Sequence, residues 1–290
     1  MHIILGGTGH VGSATVAALL KRSEPVTIVT RHREHGAALA HAGATIAVAD
    51  VHDASALRAI LQTGQRALLL NPPADFRIDT DLEERRTAAA IVEALDGSGL
   101  EKVVAASTYG AKAGERFGDL NTLFELEEGL RAQPIPVSIN RAAYYYTNWD
   151  AQAQSVRERG VLQSFFPADF SLPMVSPEDL GDAAARRLME PVSAGGIHYI
   201  EGPERYSPQD VANAYAAVLN RPVEVEVIPR SQWEAAYRAL GFSEPAAYSY
   251  ARMTAASLDD GFTPAAQAER GKITLKEHII DLEANRAGPP

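Results

Sequence analysis

The strongest constraint on the fold lies within the first twelve residues. A short apolar run, His2-Ile3-Ile4-Leu5, leads into Gly6-Gly7-Thr8-Gly9-His10-Val11-Gly12, and an alanine- and leucine-rich segment at helical spacing follows. Glycines placed three apart between a strand and a helix suit a backbone that must turn, admit a ligand and pack closely on its own strand. Gly6 permits the turn, Gly9 the approach, and Gly12 the contact of helix with strand. The helix amino terminus then offers unpaired amides and a positive dipole end to an anion such as a pyrophosphate. Such glycines can also serve the turn alone, but their place at the first junction of a regular alternation selects the anion.

That alternation runs through the first half of the chain. Strands are predicted near 2 to 6, 26 to 30, 44 to 49, 66 to 70, 101 to 107 and 136 to 141, with helices beginning near Gly9, Glu34, Asp53, Asp79 and Gly118. The runs Ile28-Val29, Ile46-Ala47-Val48, Leu68-Leu69-Leu70 and Val103-Val104-Ala105 are apolar without alternation, as strands covered on both faces should be. The pattern is that of an α/β protein with a doubly wound parallel sheet, a Rossmann-type fold. Residues 1–150 are expected to form this dinucleotide-binding domain and residues 151–290 a smaller α+β substrate lobe, with a soft boundary that the chain is free to cross. Ser176-Pro177-Glu178-Asp179 and Ser207-Pro208-Gln209-Asp210 each combine a serine cap, a proline at the first helical position and an acid at the third. They read as structural punctuation. Further helices are expected over 233 to 240, 246 to 258 and 275 to 282, and the tail from Ala287 to Pro290 is the one stretch that reads as disordered.

The chain has no cysteine, so redox chemistry here requires a borrowed cofactor. A net charge of −10 disfavours nucleic acid as a partner. No apolar run approaches the roughly 20 residues of a membrane span, and no basic leader precedes Ile3, so a cytoplasmic protein without membrane contact is expected.

The cofactor can be specified further. About 20 residues past the glycine turn, NAD-binding folds place an acid for the ribose 2′-hydroxyl. Here the position holds Arg31, with Arg33 close by, and a guanidinium suits a 2′-phosphate. NADP(H) is therefore preferred over NAD(H), although Arg31 also fits a solvated loop charge. Asp50-Val51, closing the third strand, is placed to meet the adenine. Asn71-Pro72-Pro73, closing the fourth, is placed along the nicotinamide-side ribose or simply stops the strand.

The chain resembles the NmrA-like family of atypical short-chain dehydrogenase/reductases. The resemblance rests on Gly6 to Gly12, Thr30-Arg31, Ala106-Ser107-Thr108-Tyr109-Gly110, Asn140-Arg141 with Asn148, Val175 to Gly181 and His198 to Glu204. It implies an NADP(H)-binding domain, a small substrate lobe, and either an NAD(P)H-dependent quinone-type reductase or a catalytically silent redox sensor with a protein partner. The superfamily's tyrosine with a lysine four residues on is missing; Tyr109 has Ala113 at that spacing. The basic residue that some related reductases carry on the helix from Gly118 to Arg131 is replaced by Leu123 or a neighbour. A quinone or similar small electrophile accepts hydride without a strong general acid, provided that the nicotinamide is well placed and water is excluded. Ser107 and Tyr109 are the candidate catalytic residues, with Ser107 also touching cofactor. Tyr144, Tyr145, Tyr146 and Asn148 are candidates for the substrate pocket, or for packing between lobes. His32 and His35 lack the acids that a metal site needs, and no metal is expected. Gly97-Ser98-Gly99 is no serine-hydrolase elbow. Glu83-Glu84-Arg85-Arg86 and Arg157-Glu158-Arg159 read as solvated helix faces.

Overall fold

A computed structural model describes residues 1–262 and 267–287. Its strands are β1 (His2–Leu5), β2 (Val26–Thr30), β3 (Thr45–Val48), β4 (Arg66–Leu69), β5 (Lys102–Thr108), β6 (Val137–Ala142), β7 (Tyr144–Tyr145), β8 (Val161–Ser164), β9 (Leu172–Val175), β10 (Gly196–Glu201), β11 (Arg205–Tyr206), β12 (Glu224–Val227) and β13 (Glu269–Arg270). The helices are α1 (His10–Leu20), α2 (Ala37–His41), α3 (Ala54–Leu61), α4 (Thr80–Leu95), α5 (Asp119–Arg131), α6 (Ala153–Arg159), α7 (Pro177–Met189), α8 (Pro208–Leu219), α9 (Trp233–Ala239), α10 (Glu244–Asp260) and α11 (Leu275–Ala287). Among the described residues no helix is long and apolar enough to cross a membrane.

Eight strands form one parallel sheet in the order β3-β2-β1-β4-β5-β6-β10-β13. The unalternating apolar runs are explained by helices on both faces. Ile3, Leu5, Leu69, Val103 and Ala105 point into a core with Leu57, Leu61, Ile91 and Leu126 of α3, α4 and α5. Ile4, Ile28, Leu68 and Val104 point the other way, against Val16 and Leu19 of α1 and Ala184 and Leu188 of α7. Full burial of each such aliphatic side chain stabilises the fold by about 1.5–3 kcal/mol. Helices α1 and α7 approach closely at Gly181, where a Cβ would lie 2.4 Å from that of Ala14.

The expected helix starts reflect real caps. Asp53 accepts from the Ala56 amide and Asp79 from the Leu82 amide. Ser176 and Ser207 cap α7 and α8, and Ser207 and Asp210 form a reciprocal capping box. Asp179 does more than punctuate: its Oδ2 accepts from the amides of Lys272 and Ile273, tying the carboxy-terminal segment to α7.

From Tyr146 onward the chain builds a second core around Tyr146, Trp149, Leu162, Met174, Tyr215 and Ile279. It also returns to the first half, because β10 and β13 extend the large sheet beside β6. Two short sheets, β11-β9-β7 and β12-β8, complete this part.

Three sequence expectations are corrected. Ile46-Ala47-Val48 is not covered on both faces, since β3 is the sheet edge and Val48 is 49% exposed. Glu83 to Arg86 is not a uniformly solvated face, for Glu84 is buried against α5 and Glu83 lies 2.9 Å from His52. Arg157 is half-buried and donates to Glu283 of α11. In the last two cases the partner is remote in sequence. The tail from Gly288 to Pro290 lies outside the described residues.

Candidate functional site

The glycine turn has the geometry that the sequence requires of it. Gly6 adopts φ +66°, and the Gly9 amide donates to the Gly6 carbonyl at 3.0 Å. A Cβ on Gly12 would lie 2.1 Å from that same carbonyl oxygen, so no larger residue fits without moving backbone. A Cβ on Gly6 would meet the Leu70 side chain at 2.6 Å, so the turn is packed against the chain leaving β4. Helix α1 starts at Gly9 with no side-chain cap and no acid in its first turn. Its amino end therefore presents open donors and an uncompensated positive dipole end, an arrangement that fits a diphosphate. It stands at the carboxyl ends of the paired strands β1 and β4, where the strand order reverses, the switch point at which ligands bind in open α/β sheets. Thr8, Gly9 and His10 are exposed there, and Val11 is half-buried.

On the adenosine side, β2 ends in a turn closed by Thr30, whose hydroxyl donates to the His32 carbonyl and accepts from its amide. Arg31 and Arg33 are exposed, and neither makes an ion pair among the described residues. The residues present thus suit an extra phosphate. Asp50 is exposed, with Oδ1 accepting from the His52 amide at 3.0 Å, while Val51 packs against the first core.

The segment after β4 is held from behind. Asn71 donates through Nδ2 to the Glu84 carbonyl at 3.0 Å, and the Ala74 amide donates to Glu84 Oε1 at 3.2 Å. The Asn71 Oδ1 is buried without a protein partner. Pro72 is half-buried and Pro73 exposed.

Ser107 and Tyr109, at the end of β5, are both buried, and each hydroxyl is engaged. Ser107 donates to Glu127 Oε1 at 2.5 Å, and that carboxylate also binds Arg141 and Arg131. Tyr109 donates to Glu201 Oε1 at 2.7 Å, beside Arg205 and Arg270. Burial, with the Glu201 carboxylate, holds the Tyr109 phenol far above its ordinary pKa. The two networks meet where Tyr199 accepts from Arg141 and packs edge-on to Tyr109, with ring centroids 4.8 Å apart.

Tyr144 and Tyr145 are half-buried and Asn148 is exposed. Tyr145 lines a cavity of about 10 Å³, roughly one water, together with Val11, Ala106 and Asn140, which brings one expected cofactor residue and one expected substrate residue to the same void. Burial, with a contribution from Asp119, pushes the Tyr145 phenol up to about 12. Tyr144 packs on Trp149 and Phe166. Tyr146 is fully buried in the second core and donates to the Ile273 carbonyl, so it is packing rather than pocket lining.

Sequence reasoning missed Asp119, Tyr250 and Glu84. The first turn of α5 is pinned to α4 by Asn121 donating to Asp81 and Thr122 donating to Glu84. It abuts α10 at Gly118, where a Cβ would meet Met253 Sδ at 2.9 Å. That places half-buried Asp119 among Glu84, Tyr145 and Tyr250, and it raises the pKa of all three. Leu123, one turn further along α5, packs against the first core. The acid at 119 was visible, but its neighbours Tyr145, Glu84 and Tyr250 come from 26, 35 and 131 residues away.

Sheet order and glycine turn together define the class, a Rossmann-like α/β protein. The chain belongs to the NmrA-like family, whose family model matches residues 2–259. It is 22% identical over 245 residues to the NAD(P)H azoreductase of Xenophilus azovorans, covering 84% of this chain and 82% of that protein. It is likewise 22% identical over 246 residues to quinone oxidoreductase 2 of Escherichia coli K12, covering 84% and 83%. Among solved structures, the NADPH complex of the Escherichia coli NADPH-dependent quinone oxidoreductase superposes with a TM-score of 0.83 at 21% identity, covering 98% of this chain and all of that one. The Citrobacter triphenylmethane reductase complexed with NADP(H) gives 0.79 at 17% identity, covering 97% and 99%.

Proposed function

We propose that this chain is an NADPH-dependent reductase that delivers hydride to a quinone or a similarly electron-poor small molecule. The observation that carries the proposal is the uncapped amino end of α1, framed by Gly6, Gly9 and Gly12 at the switch point of the sheet. The reductase names of both curated relatives support this reading over that of a silent sensor with a protein partner.

The amides of Thr8 and of residues 10 to 12 hold the diphosphate, Gly9 giving it room while its own amide closes the turn, and Arg31 favours NADP(H) over NAD(H) by pairing with the 2′-phosphate. Asp50 and Val51 border the adenine, and Asn71 and Pro72 the nicotinamide-side ribose. Ser107 faces the nicotinamide as an acceptor, because its proton is committed to Glu127. When bound, the nicotinamide supplies the hydride. Tyr144, Tyr145 and Asn148 border the acceptor, and the Tyr145 hydroxyl, neutral up to about 12, donates a hydrogen bond to it. The Tyr109 hydroxyl is spent on Glu201, so Tyr109 acts by shaping the wall, and the proton that accompanies the hydride reaches the acceptor from water or through Tyr145.

Loss of NADPH absorbance in the presence of a panel of quinones and azo dyes tests this. Turnover is expected with at least one acceptor, and Tyr145→Phe should lower kcat/KM for the acceptor while leaving the NADPH dissociation constant unchanged. Tight NADPH binding with no turnover on any acceptor would sink the reductase reading.

A further inference from the structure

Glu84 combines deep burial with a direct hold on the segment that follows β4. The residue is 3% exposed. Its Oε1 accepts from the Ala74 amide at 3.2 Å, its own carbonyl accepts from Asn71 Nδ2 at 3.0 Å, and its Oε2 accepts from the Thr122 hydroxyl at 3.0 Å. Both ends of the stretch 71–74 are thus tied to one residue. Pro72 and Pro73 between them have no N–H to offer, which leaves Glu84 as the main tether. The stretch continues directly from Leu70, against which Gly6 of the glycine turn is packed.

No cation neutralises this carboxyl. Among the described residues Glu84 has no salt bridge, and the nearby guanidinium of Arg85 is directed to Asp81 and Glu125. The ionisable groups facing it are Asp81 on its own helix, Asp119 on α5 and Tyr250 on α10, all acids. Arg116 is occupied by Asp79 in a two-pronged pair. A buried carboxylate among acids and without a counter-charge is costly, so the group keeps its proton. Burial, and then Asp119, push it up to about 8; burial raises the Asp119 carboxyl as well, so the first proton is held within this pair. The proton is accommodated by the existing contacts: Thr122 also has the Gly118 carbonyl at 3.3 Å, so its hydroxyl can donate there and accept from protonated Glu84.

We infer that Glu84, as a neutral acid, is a positioning residue that holds the segment 71–74 as one wall of the cofactor crevice, and that the wall loosens once the side chain ionises. The inference rests on the reading above only in taking that segment as a cofactor wall. An ionised Glu84 accepts more strongly from the Ala74 amide and from Thr122, but burial and repulsion by Asp81 and Asp119 outweigh those bonds, so the side chain has to gain water, and the movement that hydrates it draws Asn71 and Ala74 out of place.

The test measures NADPH affinity from pH 6.5 to 9.5 for the wild type and for Glu84→Gln, which keeps the shape and cannot ionise. If the neutral form alone is competent, wild-type affinity at pH 9 should be about tenfold weaker than at pH 7, while the variant stays flat. Tyr145 does not interfere, since it titrates near 12. Hydrogen exchange of the segment 71–78 in the free protein, corrected for intrinsic rates, supplies a readout that needs no cofactor. Protection should fall above about pH 8 in the wild type and not in Glu84→Gln. Identical pH profiles for the two proteins, or protection unchanged across pH 8 in the wild type, would overturn the role of Glu84. Failure of both proteins to bind NADPH at any pH would instead overturn the proposed function, and exchange would still decide whether Glu84 holds the segment.

Discussion

The Ser107 hydroxyl donates to Glu127 Oε1 at 2.5 Å, and Arg141 grips the same carboxylate through Nε and Nη2 at 2.9 and 2.7 Å. The last turn of β5 is thereby locked to α5 and β6 under the candidate nicotinamide position. Removing Glu127 leaves the nearly buried Arg141 guanidinium without its counter-charge, held only by the Tyr199 hydroxyl, and the buried Ser107 hydroxyl without a partner. Glu127→Ala should cost about 3–5 kcal/mol of unfolding free energy, the range for breaking one side of a buried ion pair. Chemical denaturation measures it, and a loss below about 1 kcal/mol, the value of an exposed pair, would show the network to be solvated.

Gly12→Ala places a Cβ against the Gly6 carbonyl, which is backbone and cannot rotate away. The turn must open, at a cost of about 1–3 kcal/mol in stability. NADPH binding should weaken at least tenfold, whereas Gly97→Ala, which strains a left-handed backbone at φ +71° but meets no neighbour and lies beyond α4 away from the turn, should leave binding unchanged despite its cost in stability. Calorimetric titration of the two variants checks the contrast.

Arg31→Ala should weaken NADPH binding by about ten- to a hundredfold, as expected for losing a hydrogen bond to a charged group of about 1.5–3 kcal/mol. NADH binding should change by less than about twofold, because that cofactor lacks the 2′-phosphate that a guanidinium grips. Equal losses for the two cofactors in fluorescence titrations would remove Arg31 from the selectivity.

Folding should be pH-dependent through Glu84. The folded protein retains this proton up to about 8, whereas the unfolded chain releases it near 4.5. Between those values the native state binds more protons, so the contribution is fully present below about 4.5 and is lost as pH rises to about 8. Relative to Glu84→Gln, the wild type should therefore lose stability across this window, by at most about 1.4 kcal/mol per pH unit. Thermal melts at pH 5, 6.5 and 8 give the comparison, and a constant difference between the two proteins would contradict the assignment.

Much of the architecture was readable because its causes are local. The glycine turn, the apolar strand runs and the caps at Asp53, Asp79, Ser176 and Ser207 each act within a few residues, and the helices start where they indicate. The NmrA-like family was legible in the same segments. Strands β10 and β13 were not assigned to the large sheet, since Gly196–Glu201 carries no mark of its partner β6, whose paired residues lie 58 positions earlier.

What the amino-acid order determined alone was the parallel α/β frame, the open amino end of α1 and the guanidinium at position 31, since turn sterics, hydrophobic periodicity and residue identity require no distant partner. Tertiary structure alone decided which polar groups are left to act. Tyr109 and Ser107 look available in the chain, yet Glu201 and Glu127 claim their protons from 92 and 20 residues away. Glu84 looks like surface charge until α5 closes over it. Hydrogen-bond commitment and desolvation depend on what packs against a group, and packing is fixed only when remote segments meet.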